Sequence, residues 1–306
     1  MTQPSALPFV SVIVTVRNGA EEIGGCLTSL LRTEYPPGSR EILVLDHGST
    51  DRTAEVMRGY PVRYLASAGP GVCQARNRGI ELSRGEILAF TDPDCVVSAG
   101  WLRELVRPFE DPAVGGVAGA ILPYPGTTPA ERFAARRRSH TQERPLSHPR
   151  RPFAMSPNVA FRREVFQRIG GFDTLFPGGG WEDADLCWRF SRETAYTLEY
   201  APRAAVFHRY RTTARTFFVQ HMRYGYGLAL LRRKYRDELS WTARDRLRAY
   251  RDLGGAAVGL GAALIPYGPG GDRAARLQTA YFGFLRQLGQ RVGYLRAAVY
   301  SRGSTA

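Results

Sequence analysis

The sequence predicts an α/β fold, with a doubly wound, mostly parallel sheet flanked by helices and an α-helical C-terminal extension. Apolar runs of strand length alternate with helix-length segments over residues 1–124, as in sheets whose parallel strands are joined by helical crossovers. The runs are nearly continuous, as expected for strands buried on both faces. With 306 residues, 43% of them hydrophobic and 23% charged, the chain can form one large domain with an appendage, and global disorder is not expected.

The first part of the chain supplies most of the predicted sheet. Its strands are expected at residues 9–16, 41–45, 62–65, 86–91 and 114–122, and its helices at residues 20–32, 72–83 and near 100–109. The first helix carries four apolar residues on one face, Ile23, Leu27, Leu30 and Leu31. Another helix is expected after the second strand, where Thr50 or Asp51 can cap it.

Residues 125–152 interrupt this alternation. They are rich in Pro and Arg and lack clear periodicity, so we expect an irregular, partly mobile excursion over the sheet edge. Regular structure is expected again with a short strand at residues 158–161 and another just before His208, and with helices at residues 163–169 and from Trp181 onward. Three further helices are expected at residues 213–236, 242–251 and 272–300.

Two C-terminal segments bear on membrane contact. Residues 253–267 are apolar but number only 15, fewer than the ~18–20 needed to span a bilayer. Their four glycines and Pro266 also weaken them as a free-standing helix. Residues 272–300 are amphipathic, and both packing on the protein's own surface and membrane contact remain open. No signal peptide is expected, because residues 1–8 lack a basic segment and a long apolar run.

The net charge of +14 is unevenly placed, with −3 over residues 1–124 and +17 over residues 125–306. A nucleic-acid binder or a protein lying on an anionic membrane could have such a basic part. Arg supplies nearly all of the basic residues, since Lys234 is the only lysine, and a codon bias toward Arg explains this as well. The four cysteines are scattered without C-x-x-C spacing, so neither a zinc site nor a disulfide framework is expected.

A pair of carboxylates, Asp92 and Asp94, comes directly after the apolar run of residues 86–90. Two carboxylates one residue apart can bind Mg²⁺ or Mn²⁺, which prefer oxygen ligands. Open α/β sheets bind their ligands at the carboxyl ends of strands. The segment alone could be a solvated turn, but its position indicates a metal with a phosphate-bearing ligand.

Further polar groups share this setting. Asp46 ends the second strand, Glu182 and Asp183 open a helix where the dipole favours acids, and His208 follows a short strand. Each has a plain structural explanation as a turn residue, a helix-dipole pair or a hydrogen-bonded histidine. Neither a dinucleotide-binding G-x-G-x-x-G nor a Walker P-loop follows the first strand, so a nucleotide would be held in another way.

Seven segments of the chain stand out together, namely Val10–Asn18, Ile42–Asp51, Ala75–Gly79, Thr91–Asp94 (a D-x-D motif), Asn158–Arg163, Gly170–Asp173 and Glu182–Leu186. In this order and spacing they resemble the family 2 glycosyltransferases of GT-A fold. The resemblance runs from about Val10 to Arg189 and more loosely to about Tyr235.

The resemblance implies a nucleotide-diphospho-sugar donor and a set of residues that bind it. Thr15 and Arg17 would border the base, and Asp46 would accept a hydrogen bond from it. Asp92 would face the ribose, and Arg76 would lie near the phosphates. Residues 1–124 would then form the donor-binding half of a catalytic domain spanning residues 1–211.

The resemblance also implies a metal site and an acceptor site. Asp94 and His208 would bind a divalent cation, Mg²⁺ or Mn²⁺. Asp183 would be the general base, and Trp181 and Glu182 would shape the acceptor site in the second half of the domain, residues 125–211. Residues 212–306 would form a basic, amphipathic helical region.

We therefore expect an inverting glycosyltransferase that acts by metal-assisted single displacement on a glycan or lipid-linked acceptor, as in the synthesis of cell-envelope polysaccharide. We expect it in the cytoplasm, peripheral on the inner, anionic face of the plasma membrane, with no nucleic-acid partner, because no recognition motif for nucleic acid is present. Two alternatives stay open. A sugar-phosphate nucleotidyltransferase would share the sheet and the metal carboxylates, and a non-enzymatic protein could bind membranes or polyanions through the basic part.

Overall fold

The computed structural model describes residues 7–66, 71–176, 180–239, 242–265 and 273–300, with side chains up to residue 297. These residues fall into two compact units. Unit 1 contains those within residues 1–124, 140–177 and 182–209, and unit 2 those within residues 125–139, 178–181 and 210–306. The signal-peptide expectation concerns residues 1–8, of which 1–6 lie outside the described residues, as does Pro266.

Unit 1 is built on a sheet of eight strands in the part of the chain that is described. The strands are β1 Val10–Val16, β2 Arg40–Asp46, β3 Arg63–Ala66, β4 Ile87–Thr91, β5 Cys95–Val97, β6 Val114–Pro123, β7 Asn158–Arg162 and β8 Thr197–His208. Their order is β3-β2-β1-β4-β7-β6-β8-β5. Strands β7 and β5 run antiparallel to their neighbours and the other six share one direction, so the predicted mostly parallel sheet is confirmed.

Helices of unit 1 flank this sheet, and helices also make up most of unit 2. They are α1 Ile23–Leu31, α2 Thr53–Met57, α3 Val72–Leu82, α4 Trp101–Val106, α5 Pro129–Arg136, α6 Glu143–Leu146, α7 Arg163–Ile169, α8 Glu182–Glu193, α9 Ala214–Lys234, α10 Arg236–Leu239, α11 Ala243–Leu264 and α12 Arg273–Tyr300, with short 3-10 helices at Pro37–Ser39 and Arg107–Glu110. Helix α5 and helices α9 to α12 belong to unit 2. Among the described helices, none combines the length and the apolar character needed to cross a bilayer.

Several elements differ from the sequence prediction. Residues 125–152 contain helices α5 and α6; α5 begins with a capping box, in which Thr128 and Glu131 bond each other's backbone N–H, and has Pro129 in its first turn. Helix α11 continues through the glycine-rich residues 253–264 instead of ending near residue 251. Strand β8 has 12 residues, because it pairs with β6 along its length as well as with β5.

Asn158 fixes β7 between its neighbours. Its side chain is fully buried, donates to the carbonyl oxygens of Ala120 and Ala204 (2.8 Å each), and accepts from Trp101 Nε1 (2.8 Å). Asn158 pairs with Thr91 in the β4–β7 register, one residue before Asp92. The position of Asp92 is therefore set by the buried core of unit 1.

In unit 2, helices α9 and α12 pack backbone against backbone. A Cβ atom added at Gly225 would lie 2.0 Å from the Gln290 carbonyl oxygen, and one at Gly293 would lie 1.8 Å from the Met222 carbonyl oxygen. Since real Cβ atoms do not approach so closely, glycine is required at both positions.

Candidate active site

Parallel pairing brings three strand ends to one edge of the sheet. Val16 pairs with Asp46 in the β1–β2 register, and Val14 pairs with Thr91 in the β1–β4 register. Arg17, Asp46 and Asp92 therefore lie at the carboxyl edge, where α/β sheets bind their ligands.

The loops after β1 and β2 are held together by Asn18, which has a left-handed backbone conformation (φ 54°). Its backbone N–H donates to Ser49 Oγ (2.9 Å), and its side-chain oxygen accepts from the Thr50 backbone N–H (2.7 Å). Next to this clamp, Thr15 is buried in β1 and Arg17 is exposed. The two predicted base-binding residues thus lie at the end of β1 and just after it, next to a fixed pair of loops.

Both carboxylate oxygens of Asp46 accept hydrogen bonds within the protein. Oδ1 accepts from the Ser49 backbone N–H (2.8 Å) and Oδ2 from the Tyr64 hydroxyl (2.7 Å). Burial and the Asp46 carboxylate together raise the pKa of Tyr64 to about 12, so its hydroxyl stays a donor. Since each carboxylate oxygen has two lone pairs, Asp46 can still accept a further hydrogen bond, as the prediction for base binding requires.

Arg76 of α3 is the centre of the acidic cluster. It is 4% exposed; Nη1 donates to Glu182 Oε1 (2.8 Å), and Nη2 to Ser156 Oγ (2.9 Å) and Asp92 Oδ1 (3.3 Å). Its guanidinium also lies over the Phe172 ring, 5.1 Å from the centroid. Burial alone would lower the pKa of Arg76, but Asp92 and Glu182 raise it above its ordinary value. A single buried cation therefore holds together two carboxylates that would otherwise repel each other.

Asp183 lies in the first turn of α8, beside this cluster, and is partly exposed. Its Oδ1 accepts from the Ala184 backbone N–H (2.9 Å) and its Oδ2 from the Ser156 backbone N–H (3.4 Å). Burial and the neighbouring Glu182 carboxylate raise the pKa of Asp183 to about 7. A carboxylate with a pKa near neutrality suits general-base catalysis.

Asp94 and His208 meet because β5 runs antiparallel to the end of β8. Cys95 pairs with His208 in this register, and the Asp94 carbonyl oxygen accepts from the Arg209 backbone N–H (2.9 Å). Asp94 Oδ1 lies 3.5 Å from His208 Nε2, and both side chains are buried. The structure thus brings the two predicted metal-binding residues together.

The donor atoms at this point fit a divalent cation. Potential ligand atoms of Asp94, Cys95 and His208 all lie within 4.8 Å of one another. A carboxylate suits Mg²⁺ or Mn²⁺, and Mn²⁺ also accepts an imidazole nitrogen, whereas the soft Cys95 sulfur suits neither ion. Asp94 and His208 are therefore the residues that could hold the ion.

Trp181, predicted beside Glu182 at the acceptor site, is assigned to unit 2. It has a left-handed backbone (φ 74°), and its Nε1 donates to the carbonyl oxygen of Tyr224 in α9 (3.0 Å).

Four residues of the site have no counterpart in the prediction. Ser156 bonds Arg76 and Asp183, Tyr64 bonds Asp46, Phe172 covers Arg76, and His140 stacks on His208 with ring centroids 4.5 Å apart. Each acts through tertiary contacts, for which the sequence carries no local pattern.

Comparison with known proteins identifies relatives of this chain. The sequence model of "Glycosyl transferase family 2" matches residues 11–170. Glycosyltransferase AglE of Haloferax volcanii is 35% identical over 206 residues, 64% of this chain and 66% of the relative. Pre-mycofactocin glycosyltransferase of Mycobacterium tuberculosis is 31% identical over 239 residues, 75% of this chain and 48% of the relative. The chain thus spans about half to two thirds of the length of these curated relatives.

Solved structures share the fold at low sequence identity. The mannosyltransferase PcManGT from Pyrobaculum calidifontis, in complex with GDP-Man and Mn²⁺, matches with a TM-score of 0.64 and 20% identity, over 96% of this chain and 88% of that one. Glucosyl-3-phosphoglycerate synthase from Mycobacterium tuberculosis, in complex with Mn²⁺, UDP-glucose and phosphoglyceric acid, matches with a TM-score of 0.53 and 21% identity, over 74% and 79%. These likenesses confirm the predicted fold.

Proposed function

Because the chain belongs to glycosyl transferase family 2 and has the GT-A fold, we propose that it moves a sugar from a nucleotide-diphospho-sugar to an acceptor hydroxyl. The observation that carries this proposal is the cluster at the carboxyl edge, where Asp92, Glu182 and Asp183 surround the buried Arg76. The solved relatives bound to GDP-Man or UDP-glucose with Mn²⁺ support this class of donor and a divalent cation.

The donor would bind at the loops after β1, β2 and β4. Thr15 and Arg17 would border the base, Asp46 would accept its hydrogen bond, and Asp92 would face the ribose. Residues 1–124 would form this donor-binding half, and residues 125–211 the acceptor-binding half.

Asp94 and His208 would hold Mg²⁺ or Mn²⁺ next to the donor diphosphate. A divalent cation there would neutralise charge on the leaving nucleotide. Arg76 would keep Asp92 in place and add positive charge near the phosphates, whereas Glu182, bound to Arg76, would border the acceptor together with Trp181.

Asp183 would accept the proton of the attacking hydroxyl. Its pKa of about 7 leaves a large ionised fraction at neutral pH and makes it a stronger base than an ordinary carboxylate. Direct attack by the acceptor inverts the anomeric carbon, so a β-linked product is expected from an α-linked donor. An α linkage in the product, seen by NMR, would contradict the single displacement.

Thermal-shift measurements with UDP-, GDP- and dTDP-sugars, each with and without Mn²⁺, test the proposal. We expect one nucleotide to stabilise the protein only when Mn²⁺ is present. Asp94→Ala should lose this shift. Asp183→Asn should keep it and lose transfer by about 10²–10⁴-fold, the usual contribution of a general base.

The matched control is Glu193→Gln, which changes an exposed carboxyl at the other end of α8 and should leave both shift and transfer intact. Normal transfer by Asp183→Asn would refute the assignment of the base. Absence of a metal-dependent shift with every donor would count against the whole proposal.

We further propose that the acceptor is a glycan or lipid-linked glycan, as in cell-envelope polysaccharide synthesis, and that unit 2 lies on an anionic membrane. Residues 253–265 of the chain carry no charge, and Val258 (74% exposed), Leu264 and Ile265 are exposed to solvent. Exposed arginines precede them in α11, namely Arg244, Arg246, Arg248 and Arg251. An apolar face next to basic side chains is typical of helices that lie in the membrane interface.

A further inference from the structure

Residues 140–142 are anchored in the core of unit 1, although they belong to the segment that the sequence predicts to be irregular. Gln142 is fully buried; its Nε2 donates to the carbonyl oxygens of Met155 (3.0 Å) and Asn158 (2.8 Å), and its Oε1 accepts from the Met155 backbone N–H (2.8 Å). These three bonds tie the segment to the start of β7. His140, two residues earlier, is therefore held in a fixed place.

The His140 ring covers one face of the His208 ring. The centroids are 4.5 Å apart and the planes are inclined by 20°, which is a stacked arrangement. Both rings are buried. The Nε2 atom, on the edge of the His208 ring, lies 3.5 Å from Asp94 Oδ1.

The backbone of His208 is fixed independently of this stack. Its carbonyl oxygen accepts from the Tyr124 backbone N–H (2.9 Å), and it pairs with Cys95 in the β5–β8 register. The remaining freedom of His208 lies in its side-chain torsions, and the flat contact with His140 restricts the ring torsion. A metal-binding imidazole needs such a restriction, because the ligand nitrogen must point at the ion.

We propose that His140 is a positioning residue of the metal centre, whose ring holds the His208 imidazole in the orientation from which Nε2 and Asp94 bind the divalent cation. The inference rests on the proposed function, since it assumes that Asp94 and His208 bind the metal. The stack also suits the charged state, because an imidazole bound to a cation is electron-poor and is attracted to the face of a second aromatic ring.

Titration of the full-length, EDTA-treated protein with MnCl₂ tests this role, with free Mn²⁺ followed by electron paramagnetic resonance. We expect His140→Ala to weaken Mn²⁺ binding by about 10–100-fold, the usual effect of losing a residue that orients a ligand. His140→Phe keeps a flat ring on His208 and should bind Mn²⁺ within about threefold of the unaltered protein. His208→Ala should abolish binding.

The matched control is His148→Ala, which removes an exposed histidine from the same part of the chain and should leave Mn²⁺ affinity unchanged. Equal Mn²⁺ affinity of His140→Ala and the unaltered protein would overturn this inference alone. So would a His140→Phe variant as weak as His140→Ala, because the ring nitrogens rather than the stack would then matter. If the unaltered protein binds no Mn²⁺, the metal part of the proposed function fails first.

Discussion

Arginine dominates the basic residues of both units, and Arg76 of unit 1 contrasts with the arginines of α11 in unit 2. In unit 1, Arg76 is buried and donates to Glu182, Asp92 and Ser156. In unit 2, Arg244 and Arg248 of α11 are exposed to solvent. Most of the positive charge therefore lies far along the sequence from the arginine that organises the candidate site. The net positive charge lies in residues 125–306, whereas the acidic cluster of the candidate site is organised around one buried cation, Arg76, in the acidic first part of the chain.

The largest effect is expected from removing the buried arginine. Arg76→Ala would leave Glu182 and Asp92 close together without a compensating charge, which typically destabilises a protein by about 3–5 kcal/mol. Urea unfolding would measure this loss. The control is Arg78→Ala in the same helix, whose ion pair with Glu81 is exposed and worth at most about 1 kcal/mol. Equal unfolding free energies for the two variants would contradict the prediction that the buried arginine contributes more to stability than the exposed one.

The next effect concerns pH, because burial and the neighbouring Glu182 carboxylate raise the pKa of Asp183 to about 7. The proposed mechanism requires the ionised carboxylate of Asp183, so the transfer rate should rise about tenfold per pH unit below pH 7 and level off above it. A rate profile that levels off near pH 4, the ordinary range for Asp, would contradict the raised pKa.

The unfolding free energy should fall as the pH rises, whereas the transfer rate should increase. A raised pKa in the folded state means that folding favours the protonated carboxyl. This contribution to stability is present below about pH 4, the ordinary pKa, and is lost as the pH rises through about 7. The unfolding free energy of Asp183→Asn should therefore fall less between these pH values than that of the unaltered protein. Parallel curves for the two proteins would refute the shift.

The smallest effect on stability is expected from the exposed arginines. The double variant Arg244→Gln/Arg248→Gln should keep its unfolding free energy within about 0.5 kcal/mol per site. Its affinity for anionic phosphatidylglycerol vesicles should fall about 30-fold, since each basic residue near such a surface contributes ~1 kcal/mol. Cosedimentation would measure this, with Arg52→Gln/Arg58→Gln in unit 1 as the control. No binding of the unaltered protein to these vesicles would refute the membrane proposal.

The sequence predicted those parts of the fold that are encoded locally. The apolar run before Asp92 predicts β4, and neighbouring runs predict the other long strands of the parallel part. Strand β5 has only three residues and gains its place by pairing with β8, so the sequence shows no sign of it. Helix α5 did have a signal, because Thr128 and Glu131 have capping-box spacing, but the many Pro and Arg residues around it favoured an irregular segment.

The candidate site was predictable as a set of residues and not as a set of contacts. Family resemblance indicated Arg76 and Glu182 separately, near the phosphates and the acceptor, but their mutual hydrogen bond depends on how α3 and α8 pack. His140 could not be predicted, because a stacked ring leaves no pattern in the sequence. Helix α11 was expected to end early from the weak helix propensity of glycine, about 1 kcal/mol each, yet it continues to Leu264.

If the proposed function is correct, the bonds around Arg76 have a consequence for the catalytic cycle. Asp92 and Glu182 repel each other, and the free-energy cost of bringing them together is met once, during folding, by their contacts with Arg76. The arrangement would then persist from one turnover to the next, so the site would not have to reorganise its own dipoles each time charge develops on the substrates. Low reorganisation of this kind is a principal source of rate acceleration in enzymes.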